Sequence, residues 1–158
     1  MRDAIIQILM ACLGSVGFGL IFHMKGQRLP LAALGGGLTW AVYLLCCQLG
    51  CSLFTANLIA AFFAAAYAEG MAHIWKAPAT IFIITAFLPM VPGGSLYYAM
   101  YALVTENHLE AAHYGTQTGL TAGALALGWF LFTAVYHPLR KLSLYIKQRR
   151  RQNVSSGA

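Results

Sequence analysis

Five long apolar stretches follow one another along the chain, separated by short polar connections. Each stretch holds about 20 residues, the length that an α-helix needs to cross the hydrocarbon core of a bilayer. We predict spanning helices over residues 4–22, 31–49, 54–74, 78–104 and 115–136. The pattern indicates an all-α integral membrane protein, with one transmembrane bundle over residues 1–136 and a basic tail over residues 137–158.

The fourth stretch differs from the others because two prolines and two glycines interrupt it, namely Pro89, Pro92, Gly93 and Gly94. Proline has no amide hydrogen, so the carbonyls of Thr85 and Leu88 lose their usual donors four residues further on. We therefore predict that the fourth helix is broken. Irregular backbone at membrane depth is tolerated only where it is buried in protein or lines a cavity, and broken helices often build the substrate sites of transporters.

This break is the first candidate for a functional site. A half-helix that starts near Ser95 would present free amides and the positive end of its dipole to a carboxylate. The freed carbonyls would accept from an ammonium group, and the hydroxyls of the following tyrosines would line the site. The predicted substrate-binding residues are Thr85, Leu88, Pro89, Pro92, Gly93, Gly94, Ser95, Tyr97 and Tyr98, with Tyr101 beyond them. The alternative is a proline kink that only shapes packing.

Glu69 is the second candidate, because it is the only carboxylate deep in an apolar run. His73 and Lys76 follow four and seven residues later, on the same face of the third helix. This spacing allows two interpretations. In the first, Glu69 and His73 relay protons, and in the second, Glu69 forms an interfacial ion pair with Lys76.

Small residues recur at every fourth position in two of the stretches. A row at this spacing forms one continuous stripe on a helix, which allows another helix to approach closely. We predict two contact faces, one formed by Ala56, Ala60, Ala64, Ala68 and Ala72 and the other by Gly115, Gly119 and Gly123.

Composition narrows the function classes. The chain has 158 residues, of which 59% are hydrophobic and 9% charged, so it has no room for a separate soluble catalytic domain. No Ser/His/Asp set is present, and we expect neither an enzyme nor a bound cofactor. The cysteines show no C-x-x-C spacing, and the Glu-x-x-His pattern of Glu110 and His113 occurs once where di-metal bundles use two copies, so we expect no metal.

The basic residues predict the orientation of the bundle. The net charge of +6 does not indicate nucleic acid, because six of the ten lysines and arginines lie between Arg140 and Arg151, beside a membrane segment. With a cytoplasmic C-terminus, those six join Lys25, Arg28 and Lys76 on the inner side, and Arg2 alone remains outside. We therefore predict an outer N-terminus and a cytoplasmic C-terminus in the lipid bilayer.

The sequence also resembles a known family. The residues that carry the resemblance are Gly17-Phe18 and Phe22, then Pro78 and Phe82, then the block Pro89-Met90-Val91-Pro92-Gly93-Gly94 with Tyr97 and Ala99-Met100. They are similar to those of the small membrane subunit of the threonine/serine exporter family, in its YjjB-like branch. The similarity extends from about residue 14 to residue 136, and the proline-glycine block is its most specific part.

The resemblance implies a two-component exporter in the bacterial inner membrane. The expected partner is a larger membrane subunit of the same family. The expected substrates are threonine, serine or the dicarboxylate succinate, with export driven by the proton-motive force. The alternative function is a subunit that assembles or stabilises a membrane complex without transporting anything itself.

Overall fold

The structure is a computed structural model that describes the backbone of residues 2–155 and the side chains of residues 2–136, Pro138 and Arg140. Six α-helices and one short 3₁₀ turn make up this part of the chain. They are α1 (Arg2–Ile21), α2 (Arg28–Gln48), α3 (Leu53–Trp75), α4 (Ala79–Phe87), the 3₁₀ turn (Leu88–Met90), α5 (Gly93–Val104) and α6 (His108–Ser155). No strand occurs among the described residues, so the all-α prediction is confirmed.

Four of these helices are long and apolar enough to cross a membrane, namely α1, α2, α3 and the part of α6 over His108–Tyr136. The pieces Ala79–Met90 and Gly93–Val104 pass the same test only when taken together, and they are bent by 51° at the break. This confirms an all-α membrane bundle of four spanning helices, or five when the bent pair counts as one span, with the predicted break in the fourth apolar stretch. The Pro/Gly cluster causes the bend, because Pro89 and Pro92 cannot donate to the helical ladder.

Helix α3 lies at the centre of the bundle and packs against α2, α4 and α6. It begins where Ser52 Oγ accepts a hydrogen bond from the Thr55 amide, 3.3 Å away. It ends at Lys76, which takes a left-handed conformation with φ of 47°. All five alanines of its predicted stripe are buried. The alanine stripe is therefore a contact face, as the spacing predicted.

Glycines bring two pairs of helices into close contact. A Cβ atom at Gly36 of α2 would collide with Ser15 of α1. At Gly128 of α6 a Cβ atom would lie 2.6 Å from the carbonyl oxygen of Leu58 in α3. These two glycines set how closely the backbones approach.

The glycine stripe of α6 is different. A Cβ atom at Gly115, Gly119 or Gly123 would have no atom within 4 Å. The prediction of a packed face there is wrong within this chain. Gly115 and Gly119 are exposed, so the stripe is open on the outside of the chain.

The two ends of the bundle are distinct. The Lys76 end holds the connection over residues 22–27 and the connection from Lys76 to Pro78, where Met24, Ala68, Ala72 and Phe82 form one buried cluster. The Ser52 end holds the connections over residues 49–52 and 105–107.

Helix α6 departs from its predicted bounds at both ends. It begins at His108, seven residues before the expected start, and continues through Pro138 to Ser155 instead of stopping at Tyr136. The predicted tail is therefore helical over most of its length. Residues 156–158 and the side chains of the basic cluster over residues 141–151 lie outside the described residues.

Candidate functional site

The carbonyls that the prolines leave without helical donors both find other partners. Ser15 of α1 donates its hydroxyl to the Thr85 carbonyl oxygen at 2.9 Å, inside the bundle. The Val91 amide donates to the Leu88 carbonyl oxygen at 3.2 Å and closes the 3₁₀ turn. The prediction that these two carbonyls are free for an ammonium group is therefore wrong. Satisfying such groups internally is what a membrane interior demands.

Pro92 turns the chain from the 3₁₀ turn into α5. Its φ of −76° and ψ of 51° place it at the centre of an inverse γ-turn, in which the Gly93 amide donates to the Val91 carbonyl oxygen at 2.7 Å. Gly93 and Gly94 have no positive φ and no atom within 4 Å of an added Cβ. The backbone therefore does not require glycine at either position.

A small cavity lies against the break, on the side where α2, α3 and α6 meet it. We call it the break cavity; its volume is about 190 Å³. Its lining residues are Trp40, Tyr43, Leu53, Asn57, Pro89, Met90, Val91, Pro92, Ser95, Gln117 and Thr121. The predicted residues Pro89, Pro92 and Ser95 are thus brought together at one cavity.

Asn57 is the most buried polar side chain of this cavity, with 3% of its surface exposed. Its Nδ2 donates to the Leu53 carbonyl oxygen at 2.7 Å, and its Oδ1 has no hydrogen-bond partner among the described residues. No fully buried side-chain nitrogen or oxygen of the described residues lacks a partner, so this oxygen is open to the cavity. Asn57 therefore offers the cavity an acceptor.

Ser95 lies on the opposite wall and does not cap α5. Its hydroxyl donates to the Pro92 carbonyl oxygen at 3.2 Å and accepts from the Thr118 hydroxyl at 2.9 Å. In the described part of the chain, the amides of Gly94 and Ser95 reach no acceptor. These amides are the free donors of the first turn of α5.

The tyrosines of α5 are not part of the cavity. Tyr97, Tyr98 and Tyr101 are each more than half exposed and form an outward row of rings, 5.4 Å apart for the first two and 6.4 Å apart for the first and third. Tyr98 also packs on Tyr114 of α6 at 5.4 Å. The prediction that Tyr97 and Tyr98 line the break site is not met by their positions. Their helical spacing turns them to the outer face of α5.

A second polar cavity lies at the Lys76 end, where α3, α4 and α6 converge. We call it the charged cleft; its volume is about 200 Å³. Its lining residues are Glu69, Ala72, His73, Ala77, Ala79 and Arg140. The structure thus places the predicted pair Glu69 and His73 on one cavity. No ion pair joins Glu69 to Lys76 among the described side chains, so the interfacial alternative for Glu69 is not observed.

A model of the family Threonine/Serine exporter, ThrE, matches residues 7–135 of this chain. The chain belongs to the threonine/serine exporter family. The match includes the whole break, the cavity beside it, and both Glu69 and His73. It ends before Arg140, whose contribution to the charged cleft comes from the extension of α6. No solved structure matches the chain.

Sequence reasoning missed several residues of this exporter-family chain. Asn57 was hidden in the alanine stripe, where one polar residue among small ones was a usable signal. Gln117 and Thr121 lie four residues apart and share a face of α6, which also marks a polar patch. Trp40 also lines the cavity, and its indole nitrogen donates to Gln7 Oε1 at 3.2 Å. Arg140 had no signal, because it approaches Glu69 only through folding.

Proposed function

We propose that this chain is the small subunit of a two-component exporter of small amino acids, working with a larger membrane subunit of the same family. Threonine and serine are the proposed substrates, and succinate is the alternative. The observation that carries the proposal is the break cavity, a polar cavity at a broken helix inside an apolar bundle.

The cavity suits a small polar solute. Asn57 Oδ1 supplies an acceptor from α3, and the unpaired amides of Gly94 and Ser95 supply donors near the opposite wall. The positive end of α5 favours a carboxylate at those amides. The volume of about 190 Å³ leaves room for a small solute beside these groups.

The partner subunit has a surface available to it. The row of Tyr97, Tyr98 and Tyr101 and the open glycines Gly115 and Gly119 lie on the outside of the α5–α6 pair. Glycine stripes let transmembrane helices pack closely, and aromatic side chains supply contact area. We propose that the larger subunit covers this surface.

The proposed location is the bacterial inner membrane, with an outer N-terminus and a cytoplasmic C-terminus. Lys25, Arg28 and Lys76 all lie at the Lys76 end, and Arg140 lines a cavity there. Arg2 lies at the opposite end of α1. The excess of basic residues at one end favours that end as the cytoplasmic one.

Export is proposed to use the proton-motive force, with Glu69 and His73 as the proton-carrying groups. They lie four residues apart on α3 and line the charged cleft with Arg140. Ionisable residues in or near a transmembrane helix commonly mark proton or ion pathways.

Transport by the assembled complex tests the role of the break cavity. Both subunits are reconstituted in vesicles, and counterflow of labelled threonine, serine and succinate is normalised to assembled complex. Asn57→Leu keeps the side-chain size and removes the acceptor, so we expect transport to fall about tenfold, the value of one lost hydrogen bond to a charged group. Thr133→Val, which removes a hydroxyl elsewhere on α6, is the matched control and should transport normally.

Near-normal transport by Asn57→Leu in a normally assembled complex would remove the break cavity from the substrate path. It would favour the alternative function, an assembly subunit that carries no substrate itself.

The coupling is tested separately. Glu69→Gln keeps the shape and removes the charge, so uphill export and its pH dependence should both be lost while downhill counterflow remains. Glu110→Gln, at the far end of α6, is the control for loss of one carboxylate. Unchanged uphill export and pH dependence in Glu69→Gln would exclude Glu69 as the coupling group.

A further inference from the structure

The charged cleft holds two opposite charges that do not neutralise each other. Glu69 of α3 and Arg140 of α6 both line it, yet no ion pair within 4.0 Å joins them among the described side chains. Neither side chain has any other hydrogen-bond or ionic partner there. A carboxylate and a guanidinium are therefore presented to the same small volume, and neither is bonded to another described side chain.

The rest of the cleft is built from small side chains. Ala72 is buried, and Ala77 and Ala79 are half-buried. His73 is the only other polar group among the described lining residues. The small alanine side chains leave a volume of about 200 Å³ open. The cleft thus admits a small polar molecule and has no wide apolar surface for a large side chain.

These features select a ligand by its charge. A guanidinium binds a carboxylate through paired hydrogen bonds, and a carboxylate accepts from an ammonium group. A molecule with both groups on neighbouring atoms satisfies both walls at once. A dicarboxylate would satisfy Arg140 and set its second negative charge against Glu69, which costs affinity.

We propose that the charged cleft is a second binding site, separate from the break cavity, that holds the ammonium group of an α-amino acid at Glu69 and its carboxylate at Arg140. The proposal rests on the proposed export function and narrows its substrate class from amino acids or dicarboxylates to amino acids.

Binding to the full chain in lipid nanodiscs tests the site without requiring transport. Ala77→Cys, made in a background without the four native cysteines, places a thiol on the cleft wall. Its labelling by a maleimide should slow when L-serine is added and should not slow with succinate. N-acetylserine, which lacks the ammonium group, and serine amide, which lacks the carboxylate, should each protect about ten- to a hundred-fold less well.

Charge variants then assign each group. Glu69→Gln should lower protection by serine about tenfold or more and leave the weak protection by N-acetylserine unchanged. Arg140→Gln should lower protection by serine equally and leave the weak protection by serine amide unchanged. Arg28→Gln, an exposed cation at the same end that does not line the cleft, is the matched control and should behave as the parent.

The outcomes separate this inference from the export function. Protection by serine without any counterflow in the two-subunit vesicles supports the cleft and contradicts export. Normal counterflow with an unprotected Ala77→Cys, or stronger protection by succinate than by serine, overturns the cleft as an amino-acid site and leaves export standing.

Discussion

The two halves of the broken segment are both apolar but have opposite surroundings. In α4, Phe82 and Thr85 are at most 1% exposed, and the helix packs against α2 and α3 with further contacts to α1. In α5, Tyr101 is 58% and Val104 81% exposed, and the helix packs mainly on α6. Both halves are apolar, so apolarity alone does not tell which one belongs to the core.

The difference shows what the break does for this protein. Pro89 removes a helical donor from the Thr85 carbonyl, and α1 replaces it with the Ser15 hydroxyl, which ties α4 to the bundle. The turn at Pro92 then directs α5 by 51° away from α4. One half is thereby fixed in the core, and the other half shows its tyrosines to lipid or to a partner.

The largest loss in the free energy of unfolding is expected in the core of α4. Phe82→Ala leaves a cavity among Met24, Ala68 and Ala72, and should lower the free energy of unfolding by about 3–5 kcal/mol. Tyr101→Ala on α5 is the matched aromatic control and should change it by no more than about 0.5 kcal/mol. Unfolding by detergent titration measures both. Equal losses in the free energy of unfolding would show that α5 is as tightly packed as α4 and would contradict the difference between the two halves.

The same contrast exists within α6 and is tested by two glycines. Gly128→Leu forces a side chain against the Leu58 carbonyl of α3 and should cost about 1–3 kcal/mol. Gly119→Leu meets no atom, so the isolated chain should keep its stability.

Co-purification of the larger subunit with this chain in mild detergent then tests whether the partner binds the face of Gly115 and Gly119. We expect Gly119→Leu to lose most of the co-purified larger subunit, because the added side chain keeps the partner helix away. A partner recovered in normal yield with Gly119→Leu would place the interface elsewhere on the bundle.

A smaller loss of stability is expected at the hydrogen bond between Ser15 of α1 and Thr85 of α4. Ser15→Ala removes the donor to the Thr85 carbonyl and should cost about 0.6 kcal/mol, the average for a hydrogen bond between transmembrane helices. Thr133→Val removes a hydroxyl bonded only within α6 and should cost less. If the two variants lose the same stability in the detergent titration, the Ser15 contact does not hold α4 in place.

The smallest stability change is expected at the turn itself. Pro92→Ala supplies an amide and frees φ, so the change in unfolding free energy should stay below about 1 kcal/mol while the bend decreases. Spin labels at the exposed positions Thr80 and Val104 should then move apart, and transport per assembled complex should fall. Pro30→Ala, in the first turn of α2, is the control. An unchanged label distance would show that packing on α6, and not Pro92, sets the bend.

Local chemistry made part of this structure predictable. Pro89 and Pro92 act on their own backbone, so the position of the break could be read from the sequence. The row of alanines on α3 could also be read, because helical spacing fixes which side chains share a face. The partners of the freed carbonyls could not. The Thr85 acceptor is bonded by Ser15, 70 residues away, and nothing local marks such a pair.

The order of residues along this chain by itself determined an all-α membrane bundle with a break in its fourth apolar stretch. Helix length, apolarity and the missing proline amides are all properties of short segments. Only the tertiary structure decided that Asn57 faces the break cavity and that the Gly115–Gly119 face stays open. It also brought Glu69 and Arg140, 71 positions apart in the numbering, to one cleft. The physical reason is that helical periodicity defines a face but not its neighbour, which depends on how all the helices fill the bundle together.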